Sequence, residues 1–572
     1  MHSTKPNTMK LSLSAFLILI TVYLSGQQTF QNVAPAMGIT GMNGLGHAVG
    51  WGDIDNDGDP DLGISNQDGS GFWFFQNDGD HFTNITSSAG LGGLGANKII
   101  IAEVTGDEFN DLILRTRSST QYLFKSNGDG TFDNITASAG IGTAAVYNIA
   151  DFDNDGYTDL LSVSGNNLSV LYNNGNATFA TAEIIAPLPD FWGVAVLDYD
   201  RDGFMDIYWT TYGDSPNTLL KNNGDGTFND VTNEAGVAYT QGGHALDVGD
   251  FNNDGFIDIY VGSYSNLTCK LFKNNGDGTF QDVTASSGTS GNHDTRTSTF
   301  IDYNNDGYLD IFSSHHDFYS YSNTMLRNNG DETFTEVAPS LGISGEWIGD
   351  YFGVGWADYN LDGALDLFAA GHIDKYNLFE NINCPGSYLM IDLKGTISNP
   401  NGIGTQVDVW NYGQLISRNM LPNGGFHDFS DLRLHFGLDG SYSVDSINIY
   451  WPSGIIQKLG NTNSNQLLTI IEDTVITDNP AEIIACPAPL TISPNPVVQT
   501  GKVTFYQENE GKVKISLLNT EGRQVKLIFN GYPDEGGHEF NFHVYDLQSG
   551  LYLLKVEDSN HLQIKKLLIL TK

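Results

Sequence analysis

The strongest constraint on this chain is a nine-residue acidic pattern that returns at a period of roughly 50 residues. Asp53-Ile-Asp55-Asn-Asp57-Gly58-Asp-Pro-Asp61 sets it, with carboxylates at positions 1, 3, 5 and 9 and glycine at 6. The same offsets hold at Asp151, Asp153, Asp155 and Asp159, and at Asp198, Asp200, Asp202 and Asp206. They hold again, with Asn at position 3, at Asp250/Asn252/Asp254/Asp258, Asp302/Asn304/Asp306/Asp310 and Asp358/Asn360/Asp362/Asp366. A degenerate copy, Glu103, Thr105, Asp107, Glu108 and Asp111, fills the gap between the first two and brings the number to seven. A fixed period of this length marks a repeat architecture, in which each unit buries its apolar face on its neighbours.

Each copy has the same surroundings. A short apolar run such as Gly193-Val-Ala-Val-Leu197 precedes the acidic loop, and a β-rich run such as Asp258-Ile-Tyr-Val261 follows it. Next comes a turn, Asn-Gly-Asp-Gly-Thr-Phe at Asn223–Phe228 and Asn275–Phe280 with variants at Asn127, Asn174 and Asn329, and then a last short strand. Asp-Gly between alternating apolar runs is a strong hairpin signal. Each unit therefore reads as four antiparallel strands, one blade of a propeller. The seventh unit lacks its last strand, while Phe30-Gln-Asn-Val33 is an orphan strand ahead of the first. Pairing the two would remove an open edge. The expectation is all-β: a seven-bladed β-propeller over residues 27–385. At these motifs the chain resembles the FG-GAP or VCBS repeats of integrin α-subunits and many secreted bacterial proteins.

The acidic loops explain the composition. Lys+Arg number 26 against 68 Asp+Glu, a net charge of −42, which leaves no basic surface for nucleic acid. Six intact loops account for about a third of the carboxylates. Alternating carboxylates with a glycine at the sharp turn, and a carbonyl available at position 7, make an all-oxygen, flexible donor set that suits Ca²⁺ better than Mg²⁺. No His or Cys holds a ligand position, against zinc or copper. Calcium is the expected cofactor at all 24 intact-loop positions named above. The degenerate loop, broken by Thr105 and Glu108, is expected to hold no ion or to hold one weakly.

Residues six before and about five after each motif should meet on the face away from the loops. They are His47, Asn97, Ala145, Trp192, His244, Arg296 and Phe352, then Tyr212, Tyr264, His315, His316 and His372. They vary between units where the framework repeats. His47, Trp192, His244, Arg296, Tyr212 and His315 are the candidate ligand face, for an extracellular glycan or protein. In the integrin family, the resemblance implies, ligands bind the face opposite the calcium loops.

The two ends of the chain read as addresses. Lys5 and Lys10 precede an apolar run, Leu11 to Leu24, with small residues after it, the form of a secretory signal peptide over residues 1–26. No later run is long enough for a transmembrane helix, so none is expected in the mature chain. After the repeats, Asn399-Pro-Asn-Gly-Ile-Gly404, Leu434-His-Phe-Gly-Leu438 and Trp451-Pro-Ser-Gly454 occur in order. They are similar to the ASPIC/UnbV domain of the cartilage acidic protein-like family, which implies a β module over 386–475. His427, Asp431 and His435 within it lack a Ser or Cys partner at a recognisable elbow and read as core or surface residues. A linker, 476–486, leads to residues 487–572, which carry nine basic and nine acidic residues. Ser493-Pro-Asn-Pro496, Val513–Gly522, Gly550–Val556 and Lys565–Leu570 read as a β-sandwich. They look like the C-terminal sorting domain of the type IX secretion system. That resemblance implies a Bacteroidota-type source, export across both membranes by the outer-membrane machinery, and a secreted or surface location. The three cysteines, Cys269, Cys384 and Cys486, form no disulfide framework.

The reading is a non-enzymatic, calcium-binding propeller for adhesion or recognition. The alternative is a polysaccharide-active lyase or hydrolase, which requires an acid/base constellation, such as Tyr or His beside Arg, at the channel mouth.

Overall fold

A computed structural model describes residues 28–473 except 67–70, 117–119, 143–144, 189–190, 212–214, 241, 265–266, 316–322, 345–352, 372–375 and 423–427. Beyond these it describes 484–485, 491–493, 497, 499–507, 512–519, 523–533, 536–545, 547, 549–557 and 562–569. The signal-peptide segment, Tyr212, His316, Phe352, His372, His427 and Cys486 lie outside the described residues.

The described chain is all-β apart from four single helical turns. Up to Ile382 it forms seven four-stranded antiparallel sheets, one per acidic motif. Their first strands are Gly46–Gly52, Lys98–Ala102, Ala145–Ala150, Val194–Leu197, Gly243–Gly249, Thr295–Ile301 and Gly353–Ala357, hereafter units 1 to 7. First strands of successive units pack on one another, except that the first strand of unit 3 meets the second strand of unit 2, Asp111–Arg115, and the first strand of unit 7 packs against that of unit 1. Unit 7 takes its fourth strand from the N-terminus: Thr29–Asn32 pairs with Tyr376–Ile382, Phe30 opposite Asn381. No sheet closes on itself.

A single side chain per unit explains how the sheets are joined. A residue at or just past the end of the third strand sends its side chain into the preceding unit, to the carbonyl at position 2 of the acidic loop. The links run Ser126 to Ile54 (3.1 Å), Asn173 to Val104 (3.0 Å), Asn222 to Phe152 (2.8 Å) and Asn274 to Tyr199 (2.8 Å). Asn328 to Phe251 and Asn381 to Tyr303 follow, each 2.8 Å, and Asn77 of unit 1 reaches Tyr359 of unit 7, also at 2.8 Å. These groups are buried, so an unmade link would leave a desolvated carbonyl unpaired.

Two local features differ from the expected unit. In unit 3 the fourth strand is Glu183–Pro187, and the segment after the Asn174 turn contributes only an isolated bridge, Asn173 to Phe179. Single helical turns, Thr136–Ala139, Thr232–Ala235, Thr284–Ser287 and Ala338–Leu341, follow four of the last strands. Three of them start on a Thr whose hydroxyl accepts a backbone N–H of the third strand, as Thr232 does from Leu219 (2.9 Å). That local bond competes with strand geometry.

Residues 388–471 form a four-stranded sheet, a three-stranded sheet that Ile484–Ala485 extends to four, and a two-residue pair, Ser443–Val444 with Thr462–Asn463. One apolar cluster runs through from Phe152 and Met205 of units 3 and 4 to Leu389, Ile403, Phe436 and Trp451 of this module. Past residue 490, a three-stranded and a four-stranded sheet enclose Val503, Ile515, Leu517, Phe542, Leu554 and Leu567.

Candidate metal centres and the opposite face

In each intact loop the backbone folds around the position-1 carboxylate. Asp250 accepts from the N–H groups of Asp254 (3.1 Å) and Gly255 (2.6 Å), and Asp358 from those of Asp362 (3.0 Å) and Gly363 (2.8 Å). The position-9 carboxylate ties the loop to the sheet. Asp206 accepts from Tyr199 (3.1 Å) and Asn222 (2.7 Å), and Asp159 from Phe152 (2.9 Å) and Asn173 (2.7 Å). Positions 4 and 6 take left-handed conformations, and Gly363 shows why glycine holds position 6: φ is +87°, and a Cβ would lie 1.8 Å from the Tyr388 ring.

The geometry gathers carboxylates closely. Ligand-capable oxygens of Asp53, Asp55 and Asp57 lie within 4.8 Å of one another, as do those of Asp151, Asp153 and Asp159, and of Asp198, Asp200 and Asp206. Burial, with neighbouring carboxylates adding to it, pushes Asp53 and Asp198 up to about 6 and Asp151, Asp250 and Asp358 up to about 7. Burial also holds Asp61, Asp206, Asp258, Asp310 and Asp366 well above the usual range. Asp53 Oδ1, Asp55 Oδ1, Asp200 Oδ1 and Asp366 Oδ2 are buried without a hydrogen-bond partner. Orphaned, all-oxygen and electrostatically overloaded, the donor set fits a hard divalent cation. In units 5 to 7 the position-3 amide of Asn252, Asn304 and Asn360 donates to the position-5 carboxylate (2.9, 2.9 and 3.1 Å). The other end of that amide is the oxygen a cation would take.

Two units use a lysine at this point. In the degenerate unit 2 loop, Lys125 sits 2.8 Å from Asp107, and Glu103 takes the N–H groups of Thr105 (2.8 Å) and Asp107 (3.2 Å). In unit 4, Lys221 pairs with Asp200 and lies 2.7 Å from Asp202, so ammonium and ion would compete for the same oxygens. The sequence reading did not foresee that second lysine.

The loop face carries the ASPIC/UnbV-like module. Side chains at position 4 of one loop donate to the position-6 carbonyl of the next: Asn154 to Gly203 (2.9 Å), Asn253 to Gly307 (2.9 Å) and Asn305 to Gly363 (3.0 Å). Leu361 of unit 7 cannot donate, and Arg433 of the module reaches Gly58 instead (2.9 Å), held by Asp431 at 2.5 Å. Arg418 donates to Gly307 (3.1 Å) and lies 3.6 Å from Asp302, and His435 contacts Gly363 (3.2 Å). Burial holds the His435 imidazole down, to about 4, so the ring is neutral. Asp431 and His435 are thus docking contacts.

The module also reaches the first strands of several units. Asp428–Phe429 pairs in parallel with Val49 and Gly50 of unit 1. Asp428 accepts from the Val354 N–H of unit 7 (2.7 Å) and from Thr297 of unit 6, while its carbonyl takes the Lys98 ammonium of unit 2 (2.6 Å). One residue of the module thus touches the first strands of four units.

At the other end of the sheets, the expected ligand face divides. Trp192 meets His244 edge-on (4.4 Å between centroids) and lies near-parallel to Tyr264 (6.5 Å), with Arg296 6.0 Å from the Tyr264 ring and 3.4 Å from Asp294. His244 is nonetheless buried, its Nδ1 2.6 Å from the Thr295 carbonyl. His47 is buried against unit 7, where its carbonyl lies against Gly353. His315 is buried and stacks on His293 (4.1 Å), lining a cavity of about 340 Å³ between units 5 and 6, and burial keeps its imidazole neutral. Missed by sequence reasoning are Lys98, Arg115 and Tyr147 at the same end of units 2 and 3. An Arg and a Tyr on separate repeats carry no spacing signal.

Three family models match the chain. FG-GAP-like repeat models match residues 103–161, 151–209, 209–261, 262–313 and 302–369, the ASPIC and UnbV model matches 395–477, and the secretion system C-terminal sorting domain matches 491–570. The chain is an FG-GAP-repeat protein that carries an ASPIC/UnbV domain and a C-terminal sorting domain. Among curated relatives it is similar to cartilage acidic protein 1 of Homo sapiens, 28% identical over 287 residues, covering 47% of this chain and 42% of the relative. The same protein of Xenopus tropicalis is 27% identical over 303 residues, covering 50% and 46%. The match spans less than half the length of these relatives. Among solved structures, a lectin of Agrocybe aegerita that recognises non-reducing terminal N-acetylglucosamine is 19% identical, with a TM-score of 0.37, covering 60% of this chain and 91% of that one. A likeness of that size carries no functional weight. Among the described residues no helix is long and apolar enough to cross a membrane.

Proposed function

We propose that this is an exported, calcium-stabilised, closed seven-bladed propeller that recognises an extracellular glycan or protein on the face away from its acidic loops. Under this reading residues 27–385 are the propeller, 386–475 its docked module and 487–572 a type IX sorting domain. Ca²⁺ would be held by the position 1, 3, 5 and 9 side chains of the six intact loops and would neutralise carboxylates that otherwise repel. The observation that carries the recognition reading is the occupancy of the loop face: Arg418, Arg433, His435 and Asp428 commit it to the module. The opposite end keeps its half-buried aromatic and charged group, Trp192, Tyr264 and Arg296. One observation favours the enzymatic alternative, a Tyr147 hydroxyl 2.9 Å from Arg115.

The test is a glycan array and an extracellular-matrix protein panel probed with the full chain, in Ca²⁺ and in EGTA. Calcium-dependent retention of one ligand class, unchanged in mass, is expected. Shortened ligand makes the chain an enzyme, and no retention of anything removes the recognition reading.

A further inference from the structure

The acidic loops and the module do not meet everywhere. Over units 3 to 5 they leave a cavity of about 570 Å³, walled on one side by Arg201 and Phe204 of unit 4 and on the other by Gln406, Asp408 and Tyr450 of the module. Solvent reaches it, since Arg201 is exposed and Tyr450 is 37% exposed. Its size is that of a small-ligand site, and a junction between packed units is where such sites concentrate.

Strand alternation builds the module's wall. Gln406–Asn411 pairs with Ser446–Tyr450, placing Gln406 opposite Tyr450 and Asp408 opposite Asn448. Val407, Val409, Ile447 and Ile449 turn inward and are fully buried, so Gln406, Asp408, Trp410 and Tyr450 share the outer face. Trp410 is 36% exposed and stands about 13 Å along the strand from Gln406. The cavity wall thus runs on as an open strip with an aromatic ring towards each end.

Two charged side chains decide what can lie there. Asp408 accepts from Gln406 (2.8 Å) and from the Ser417 hydroxyl (2.9 Å), both on Oδ1, which leaves Oδ2 as an acceptor. Arg201 stands where Asn154 and Asn253 stand in neighbouring loops, and gives one nitrogen, Nη2, to the Gly255 carbonyl and to Gln406 Oε1 (2.9 Å). Nη1 and Nε remain as donors on an exposed side chain. An anion entering the cavity would meet Asp408 together with Asp198 and Asp202, and a cation would meet Arg201. A neutral polyol suits both, because a pair of hydroxyls accepts from the guanidinium and donates to the carboxylate. Tyr450, Phe204 and Trp410 add flat apolar faces for the C–H side of a sugar ring.

We propose that this cleft binds a neutral oligosaccharide segment. Tyr450 and Phe204 hold one ring, Asp408 and Arg201 take its hydroxyls, and Trp410 receives the chain further along the strip. It is a second site, on the loop side of the sheets, and does not depend on the recognition reading placed at the Trp192 end.

The test titrates the full, Ca²⁺-loaded chain by calorimetry with cellohexaose, mannohexaose and xylohexaose, and with hexagalacturonate and hexaglucosamine as the anionic and cationic probes. At least one neutral probe should bind, and both charged ones about tenfold more weakly or worse. Tyr450→Ala and Trp410→Ala remove exposed rings, so each should weaken binding about tenfold while leaving the melting temperature unchanged. Trp192→Ala, at the other end, should leave this binding as it is. Hydroxyl-radical footprinting of the unaltered protein with saturating neutral probe should protect Tyr450 and Trp410 and spare Trp192 and Tyr264. Protection at Trp192 in place of Tyr450 overturns this site and supports the recognition reading. Tighter binding of either charged probe overturns the neutral assignment. No binding of any neutral probe overturns the site, and the glycan and protein panel then judges the recognition reading by itself.

Discussion

Individual residues set the pH and metal behaviour. Burial pushes Asp53 and Asp198 up to about 6 and Asp151, Asp250 and Asp358 up to about 7, against roughly 4 in an unfolded chain. The folded state then binds more protons than the unfolded one across pH 4 to 7. Stability from these groups is fully present below pH 4 and lost as pH rises through 7. In EGTA the melting temperature should therefore fall between pH 5 and pH 8. With saturating Ca²⁺, which favours the ionised carboxylates, the fall should vanish or reverse. A fall of equal size in both buffers would count against ion binding at the loops. Leu361 offers a second residue-level check. It holds φ +55°, a conformation that Asn154, Asn253 and Asn305 occupy in sister loops. Because a left-handed backbone costs an ordinary side chain about 1–2 kcal/mol and Asn less, Leu361→Asn should raise stability by about 1 kcal/mol in urea titration.

Among elements, the third strand of each unit is the joint. Asn222 and Asn223 are neighbours of identical type with opposite fates. Asn222 is buried and bridges Phe152 and Met205 carbonyls, while Asn223 is exposed and bonds Thr227 (2.9 Å) within its own turn. Asn222→Ala should cost about 1–3 kcal/mol, because two buried carbonyls lose their donor. Asn223→Ala should cost less than about 0.5 kcal/mol. Equal effects in chemical denaturation would mean that the inter-unit bond does not hold the sheets together. The repeat spacing made these strands and turns legible, since period 2 and Asn-Gly turns act over a few residues. The helical turns were not legible, because Thr232 and its counterparts gain their bond to the third strand only once that strand is in place.

For the whole molecule, the repeats and the module that follows are joined by a common apolar cluster and by Arg433, Arg418 and Asp428. A protein of this build should melt through the two as one calorimetric transition. Arg433→Ala would leave the half-buried Asp431 without its partner and the Gly58 carbonyl without its donor, and should destabilise that transition by about 1–3 kcal/mol. Two separate transitions in the unaltered chain would show that docking is not part of the folded unit.

The sequence by itself determined the number of repeats, the acidic loops and the four-strand unit. All of these depend on neighbours within about ten residues or on a period that repetition makes visible. Only the tertiary structure decided that the loop face is taken by the module, that Asp428 meets the first strands of four units, and that the Arg115 guanidinium lies over the Tyr147 ring. Each of these joins side chains from different units, as Lys98 and Asp428 are joined across 330 residues. No pattern within either segment encodes such a meeting. It follows from which backbone ends the packed sheets bring together.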